Sequence, residues 1–328
     1  MKTRTRSRSL ALAALLGSTA LALTACSGAA SSSDSSAAAS GLVKVVASTD
    51  VYGDLAQSVG GDLVEVTSII DSPDKDPHEY EATARDQLAV ADAALVIENG
   101  GGYDHFVDTM IDASSSEAPV VTATVVAGLE DEHEHEEEHA GEEEHADEEG
   151  HEHASYNEHV WYDLAVMRDV VTAIGDELST VDPDNASTYA ANAETLAGEI
   201  DGVLAQAEEL KGTAAGKGVA ITEPVPLYLT DALGLVNETP EAFSEAVEEG
   251  TDVPATTLQQ TLDLFSAGTV DVLVHNAQTE GPQTEAVLDA AEAAGVPAIA
   301  FTETLPEGDD YVSWMTANLD ALEGALSS

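Results

Sequence analysis

Two histidines stand in short loops that interrupt a regular alternation of apolar runs. His78 lies in Asp76-Pro77-His78-Glu79-Tyr80-Glu81, just after a run ending at Ile70, and His159 lies in Asn157-Glu158-His159-Val160-Trp161-Tyr162-Asp163. Two carboxylates occupy matching positions later in the chain: Glu223 follows the strand-like GVAIT, and Glu303 follows PAIAFT. A lone loop histidine is commonly just solvated, and a lone Glu after a strand can serve the positive end of a helix. Loops at the carboxyl ends of parallel strands are, however, where open α/β sheets place ligands. Two imidazoles and two carboxylates offered from such loops could hold Zn2+, or Mn2+ or Fe2+ at higher coordination number.

A second group of histidines has a different character. Residues 130–153, EDEHEHEEEHAGEEEHADEEGHEH, contain 14 acidic residues and six histidines: His133, His135, His139, His145, His151 and His153. The run has no large apolar residue to bury, so it reads as a solvated loop. His135 to His139 formally match both H-E-x-x-H and H-x-x-E-H, but those peptidase signatures need an amphipathic helix packed into a fold, and this run has no apolar face. Imidazoles among carboxylates at this density would collect divalent cations weakly at many positions.

Charge and cysteine content narrow the function classes. Ten Lys plus Arg stand against 63 Asp plus Glu in 328 residues, a formal net charge of −53, which excludes a nucleic-acid footprint and concentrates cations. The single cysteine rules out an internal disulfide and a cysteine-based zinc cluster. Lys2, Arg4, Arg6 and Arg8 precede an apolar stretch from Leu10 to Leu23, too short to span a membrane but suited to a signal peptide. It closes with Leu23-Thr24-Ala25-Cys26, which resembles the bacterial lipobox, so residues 1–25 are expected to be removed and Cys26 to carry lipid. Residues 26–41, nearly all Ser, Ala and Gly, then form a flexible leash.

From residue 42 the grammar is βαβ. Strands are expected at 43–48, 64–69 and 94–99 with helices near 51–60, 83–92 and 103–113, and again at 218–222, 270–275 and 297–301 with helices near 225–234, 255–267, 281–294 and 308–324. Between them lie helical stretches at 163–180 and 183–211. The second is expected to start with Asp182 as its cap and Pro183 at its first position, and to stop at Gly212. The fold class is α/β: an N-terminal lobe over 42–162, linking helices over 163–212 and a C-terminal lobe over 213–328, each lobe with a parallel sheet, joined by one long rigid helix.

The pieces PHEYEATARDQLAVADAALVIENGGGYD (77–104), the following histidine-rich run, HVWYDL (159–164) and the long helix resemble the metal-binding receptors of bacterial ABC uptake systems for zinc and manganese, the ZnuA- and TroA-type receptors. The resemblance covers nearly all of residues 42–324. It implies a cation held between the lobes by one ligand from each of four loops: His78, His159, Glu223 and Glu303. His275, ending VDVLVH, comes from a strand end that approaches the cleft in similar proteins, and would substitute for Glu303 or stand behind it. Trp161 is expected to pack rather than bind, and Asp163 to cap a helix.

The resemblance also implies a monomeric, lipid-anchored protein on the extracytoplasmic face of the membrane, handing its cation to an ABC permease driven by a cytoplasmic ATPase. It is not expected to be an enzyme. Glu at the third position favours manganese by family analogy, whereas the histidine-rich run favours zinc, which imidazole captures far better; zinc is the expected cargo and manganese or iron the alternative. Readings of another class are a surface adhesin with a structural metal and a metallohydrolase. Hydrolysis would need an open coordination position beside a general base, and four protein ligands leave little room for one.

Overall fold

The computed structural model describes residues 41–327 except 74, 76, 79 and 130–155. The signal and leash segments with Cys26, Glu79, and all six histidines of 130–153 lie outside the described residues. Among the described residues no helix is long and apolar enough to cross a membrane.

The first lobe is built on β1 (Val43–Thr49), α1 (Asp50–Gly60), β2 (Val64–Ile70), α2 (Ala84–Ala91), β3 (Leu95–Glu98), α3 (Phe106–Ser114), β4 (Val120–Thr122) and α4 (Ala123–Val126). Its strands are parallel in the order β2-β1-β3-β4. The central runs VKVVAST and LVIE are nearly all buried, as strands covered on both faces must be. A capping box fixes the start of α2: Thr83 accepts from the Asp86 N–H, and Asp86 accepts from Thr83 in return.

Two long helices follow, α5 (Leu164–Val181) and α6 (Ala186–Ala214). Asp163 caps α5 through the N–H groups of Ala165 and Val166, as the sequence suggests. Asp182 departs from expectation. Pro183 opens a short 3-10 turn over Pro183–Asn185, and the Asp182 carboxylate accepts from Asn185 Nδ2 (2.7 Å) and Tyr189 Oη (2.8 Å) instead of capping a helix. Gly212 does not end α6 either. One glycine inside a helix costs only about 1 kcal/mol, and burying Ala214 one half-turn further on keeps the helix intact; the chain reverses at Gly216, whose φ is 85°.

The second lobe comprises β5 (Gly218–Ile221), α7 (Leu227–Ala232), β6 (Val236–Asn237), α8 (Glu241–Glu248), α9 (Ala255–Ala267), β7 (Val272–Asn276), α10 (Pro282–Ala294), β8 (Ala298–Phe301) and α11 (Tyr311–Leu326). Its parallel sheet, β6-β5-β7-β8, repeats the order of the first. The expected elements did not include β4, α4 or β6, which are two to four residues long, or the amphipathic helix α8.

The lobes share packing through α6. Tyr189, Ala193, Leu196, Ile200, Val203, Ala207, Leu210 and Ala214 are buried at alternating spacings of four and three, one apolar stripe along about 44 Å of helix. One apolar core accordingly runs from Val45 and Leu55 through this stripe to Ile221, Val274 and Trp314. Polar ties add to it. Asp50 Oδ1 accepts from Leu305 N (3.1 Å), Asp54 Oδ2 accepts from Tyr311 N (2.9 Å), Tyr162 Oη donates to Thr302 O (2.8 Å), and Tyr311 Oη donates to Trp161 O (2.7 Å).

Burial raises the Asp50 carboxyl to about 6, partly opposed by the bond from Leu305 N. The folded state therefore binds this proton more tightly than the unfolded chain, and the group's contribution to stability declines as pH rises from about 4 to 6. Asp50→Asn keeps the acceptor for Leu305 N and removes the charge. Thermal melts should show this variant about 2–4 °C above wild type at pH 7, with the difference vanishing near pH 4; an equal or lower midpoint at pH 7 would show that the fold favours the charged form.

Candidate metal centre

Parallel sheets present their carboxyl ends on one side, and in both lobes that side faces the cleft. From the first lobe, β2 leads into the loop holding His78. The end of β3 leads into Asn99, Gly100, Gly101 and Gly102, and then Tyr103 and Asp104. The three glycines have φ of 82°, 71° and 90°, a run of left-handed backbone that side chains other than glycine resist. This tight turn lets Asp104 accept from the N–H groups of Asn99 (2.6 Å) and Gly100 (2.9 Å) and aims Tyr103 inward.

Tyr103, Trp161 and the two imidazoles form an aromatic wall. The His78 ring stands edge-on to Tyr103 at 5.1 Å, His159 edge-on to Trp161 at 5.0 Å, and the two imidazole centroids are 6.4 Å apart. Trp161 is buried and packs. His159 is fixed by Asn157, whose Oδ1 lies 2.7 Å from ring Nδ1 and also accepts from the His159 N–H. Asn157 Nδ2 is itself committed to Pro224 O (3.1 Å), so its Oδ1 must be the acceptor and Nδ1 carries the proton. The lone pair then resides on Nε2, the arrangement that a metal-ligating imidazole requires. That atom lies 3.2 Å from Glu248 Oε1, and His78 Nδ1 lies 3.5 Å from Glu158 Oε1.

The second lobe supplies carboxylates. Glu223 follows β5 and Glu303 follows β8, both buried, as the spacing anticipates. Asn276, the last residue of β7, joins them: its Nδ2 donates to Glu223 Oε2 and to Glu303 Oε1 (2.7 Å). Tyr103 Oη reaches across the cleft to Glu303 Oε2 (3.1 Å). His275 is not brought into this group. Side chains alternate along a strand, and Val272, Val274 and Asn276 share the face toward the common core while Leu273 and His275 face the other way. Tyr80 is likewise directed elsewhere, its Oη bonding Asp86.

Ligand atoms of His78, Glu158, His159 and Glu248 all lie within 4.8 Å of one another. Glu223 and Glu303 are not members of that group, though the charges of both act on Glu248 and that of Glu303 acts on Glu158. Glu158 is raised to about 8 by burial and then by the charges of Asp104 and Glu303; Glu248 is raised to about 9 by burial and then by Glu158, Glu223 and Glu303. Carboxylates gathered this way repel one another and favour a cation between them. The sequence had shown Glu158 beside His159 without a role for it. Asn157, two residues before His159, was legible as a neighbour, whereas Asn276, Tyr103 and Glu248 carry no local signal of the site.

Two α/β lobes around a shared helix, with imidazoles and carboxylates brought into the cleft from loops, strand ends and the end of α8, define a metal-binding solute receptor. The chain belongs to the family described as ZnuA, zinc-uptake complex component A periplasmic, whose model matches residues 45–325. Among curated relatives, the manganese ABC transporter substrate-binding lipoprotein PsaA of Streptococcus pneumoniae serotype 4 is 25% identical over 307 residues, covering 87% of this chain and 89% of that protein. The manganese-binding lipoprotein MntA of Halalkalibacterium halodurans is 26% identical over 152 residues; this match spans 46% of the present chain and less than half, 44%, of MntA. The solved periplasmic zinc-binding protein TroA from Treponema pallidum shares the fold with a TM-score of 0.68 at 18% identity, covering 87% of this chain and 99% of TroA. The chain is thus a substrate-binding component of a metal ABC uptake system, a class that carries its cation rather than transforming it.

Asn276 is the donor shared by two buried carboxylates. Asn276→Ala should lower the stability of the metal-free protein by about 1–3 kcal/mol in denaturant titration, since Glu223 and Glu303 lose a buried partner together. A loss below about 0.5 kcal/mol would mean that the two carboxylates are held by other groups.

Proposed function

We propose that this chain is an extracytoplasmic lipoprotein, anchored through Cys26, that captures zinc between its lobes and delivers it to an ABC permease powered by a cytoplasmic ATPase. The observation that carries this reading is the convergence of His78 and His159, from two separate loops, within reach of one ion. His78, His159, Glu223 and Glu303 are the proposed ligands, with Glu158 beside His78. Asn157 presents Nε2 of His159, Asn276 sets the spacing of Glu223 and Glu303, and Tyr103 ties Glu303 to the opposite lobe. The histidine-rich run 130–153 is proposed to gather cations weakly and raise their local concentration near the cleft. The protein acts as a monomer, and the long helix with its shared core limits hinge motion, so release is driven by the permease rather than by free opening.

Manganese is the second reading, and a specific observation favours it. Two nitrogens set among four carboxylates form an oxygen-rich environment suited to a harder, higher-coordinate ion, and PsaA and MntA are named for manganese. Zinc retains the advantage of higher intrinsic affinity for imidazole, and of six further histidines in 130–153.

Competitive titration of the metal-free mature chain with zinc and manganese, with elemental analysis of bound ions, tests both readings. One tight ion is expected, weakened at least about 100-fold by His78→Ala or His159→Ala. Deleting residues 130–153 should retain that ion and lower the total bound; loss of all tight binding would make the run itself the site. Imidazole must be neutral and carboxyl groups ionised to bind, and Glu158 and Glu248 are raised to about 8 and about 9, so affinity should fall progressively as pH drops from about 9, with a further fall below about 6.5 as the imidazoles protonate; an affinity unchanged at pH 5 would exclude histidine ligation.

A further inference from the structure

Glu248 is the one member of the four-atom group that lies on neither a strand end nor a histidine loop. It is the last residue of α8, a helix anchored in the second lobe's own core by Phe243 and Val247. Packing of α8 does not call for a carboxylate there. Electrostatics argue against one, because the C-terminal end of a helix carries partial negative charge and the neighbouring charges acting on Glu248 are Glu158, Glu223, Glu303 and Glu249. Its Oε1 nevertheless points 3.2 Å from His159 Nε2, the ring atom opposite the one that Asn157 holds. A divalent cation seated at that nitrogen converts each of these repulsions into an attraction.

The surroundings leave room for this. A cavity of about 400 Å3 opens between the lobes here, lined among others by Asn157, Glu158, Pro224, Glu245 and Glu248. Glu248 is half-buried, so its carboxylate borders both this space and the imidazoles.

We propose that Glu248 is a further cargo ligand, contributed by α8, that supplies the donor by which the cleft holds a six-coordinate cation such as manganese in addition to a four-coordinate one such as zinc. The inference rests on the reading of the cleft as the cargo site. Zinc is satisfied by four donors in a tetrahedron, and two imidazoles with two carboxylates already provide them. Manganese takes six donors, largely oxygen, and is bound more weakly by any given set, so it depends more on each added carboxylate. His78, Glu158, His159 and Glu248 already lie together, and Glu223 and Glu303, whose charges act on Glu248, would bring the number to six on binding.

The test is Glu248→Gln in the mature chain, titrated separately with manganese chloride and zinc chloride. Manganese affinity is expected to fall about tenfold or more and zinc affinity less than about threefold, so the zinc-to-manganese preference rises. Glu245→Gln removes the same charge one turn back along α8 without removing an atom of the group, and should leave both affinities within about twofold. Equal and small effects of Glu248→Gln on both metals would overturn the proposal. So would matching effects of the two variants, which would indicate long-range charge rather than ligation. Wild-type protein that binds neither metal tightly, or that is indifferent to His159→Ala, would instead overturn the reading of the cleft.

Discussion

The structure depends on one electrostatic constraint, the gathering of like-charged carboxylates away from water between two lobes. Glu158, Glu223, Glu248 and Glu303 approach one another where Coulombic repulsion is screened least. Such a group is tolerable in three ways: by holding protons, by accepting well-placed hydrogen bonds, or by taking up a cation. The molecule uses the first two. Burial and mutual repulsion push Glu158 and Glu248 toward their protonated forms, while Asn276 and Tyr103 hold Glu223 and Glu303 by donation. The third is the chemistry of the family to which the chain belongs.

The rest of the fold keeps these groups in place. Carboxylates that repel would separate if the lobes were free to move apart, and several features oppose that. The stripe along α6 continues from one lobe's core into the other's, and the segment from Thr302 to Tyr311 is bonded to Asp50, Asp54, Trp161 and Tyr162 of the first lobe. Glu303 sits at the head of that segment. Its place across from His78 and His159 is therefore decided by the opposite lobe as much as by its own strand. Asn157 performs a similar service in the other direction, linking the His159 loop to Pro224 and, through its carbonyl, to Tyr228.

Much of this was legible in the chain. The β-branched runs set the two parallel sheets, the apolar spacing set the long helices, and strand ends marked His78, Glu223 and Glu303 as residues that would face a common cleft. Asp163 as the cap of α5 and Trp161 as a packing residue could also be read locally. Gly212 and Asp182 misled because their signals are weak energies: about 1 kcal/mol for an interior glycine, and of similar size for a cap, the same order as what burying Ala214 or satisfying Tyr189 and Asn185 returns, so tertiary context decides.

What the sequence by itself determined is the strand ends at which Glu223 and Glu303 stand and the loops that carry His78 and His159, because periodicity and turn residues are local and one strand end follows from one run of residues. Which donors meet was decided by tertiary structure alone. Asn276 and His275 are adjacent in sequence, yet the pleat sends one into the cleft and the other behind the sheet. Glu248 belongs to a helix 89 positions along the chain from His159, and nothing in its neighbourhood announces that its carboxylate will stop 3.2 Å from that ring. Distances across a cleft are fixed by how two lobes pack on a shared helix, a property of the whole core that no short stretch of sequence carries.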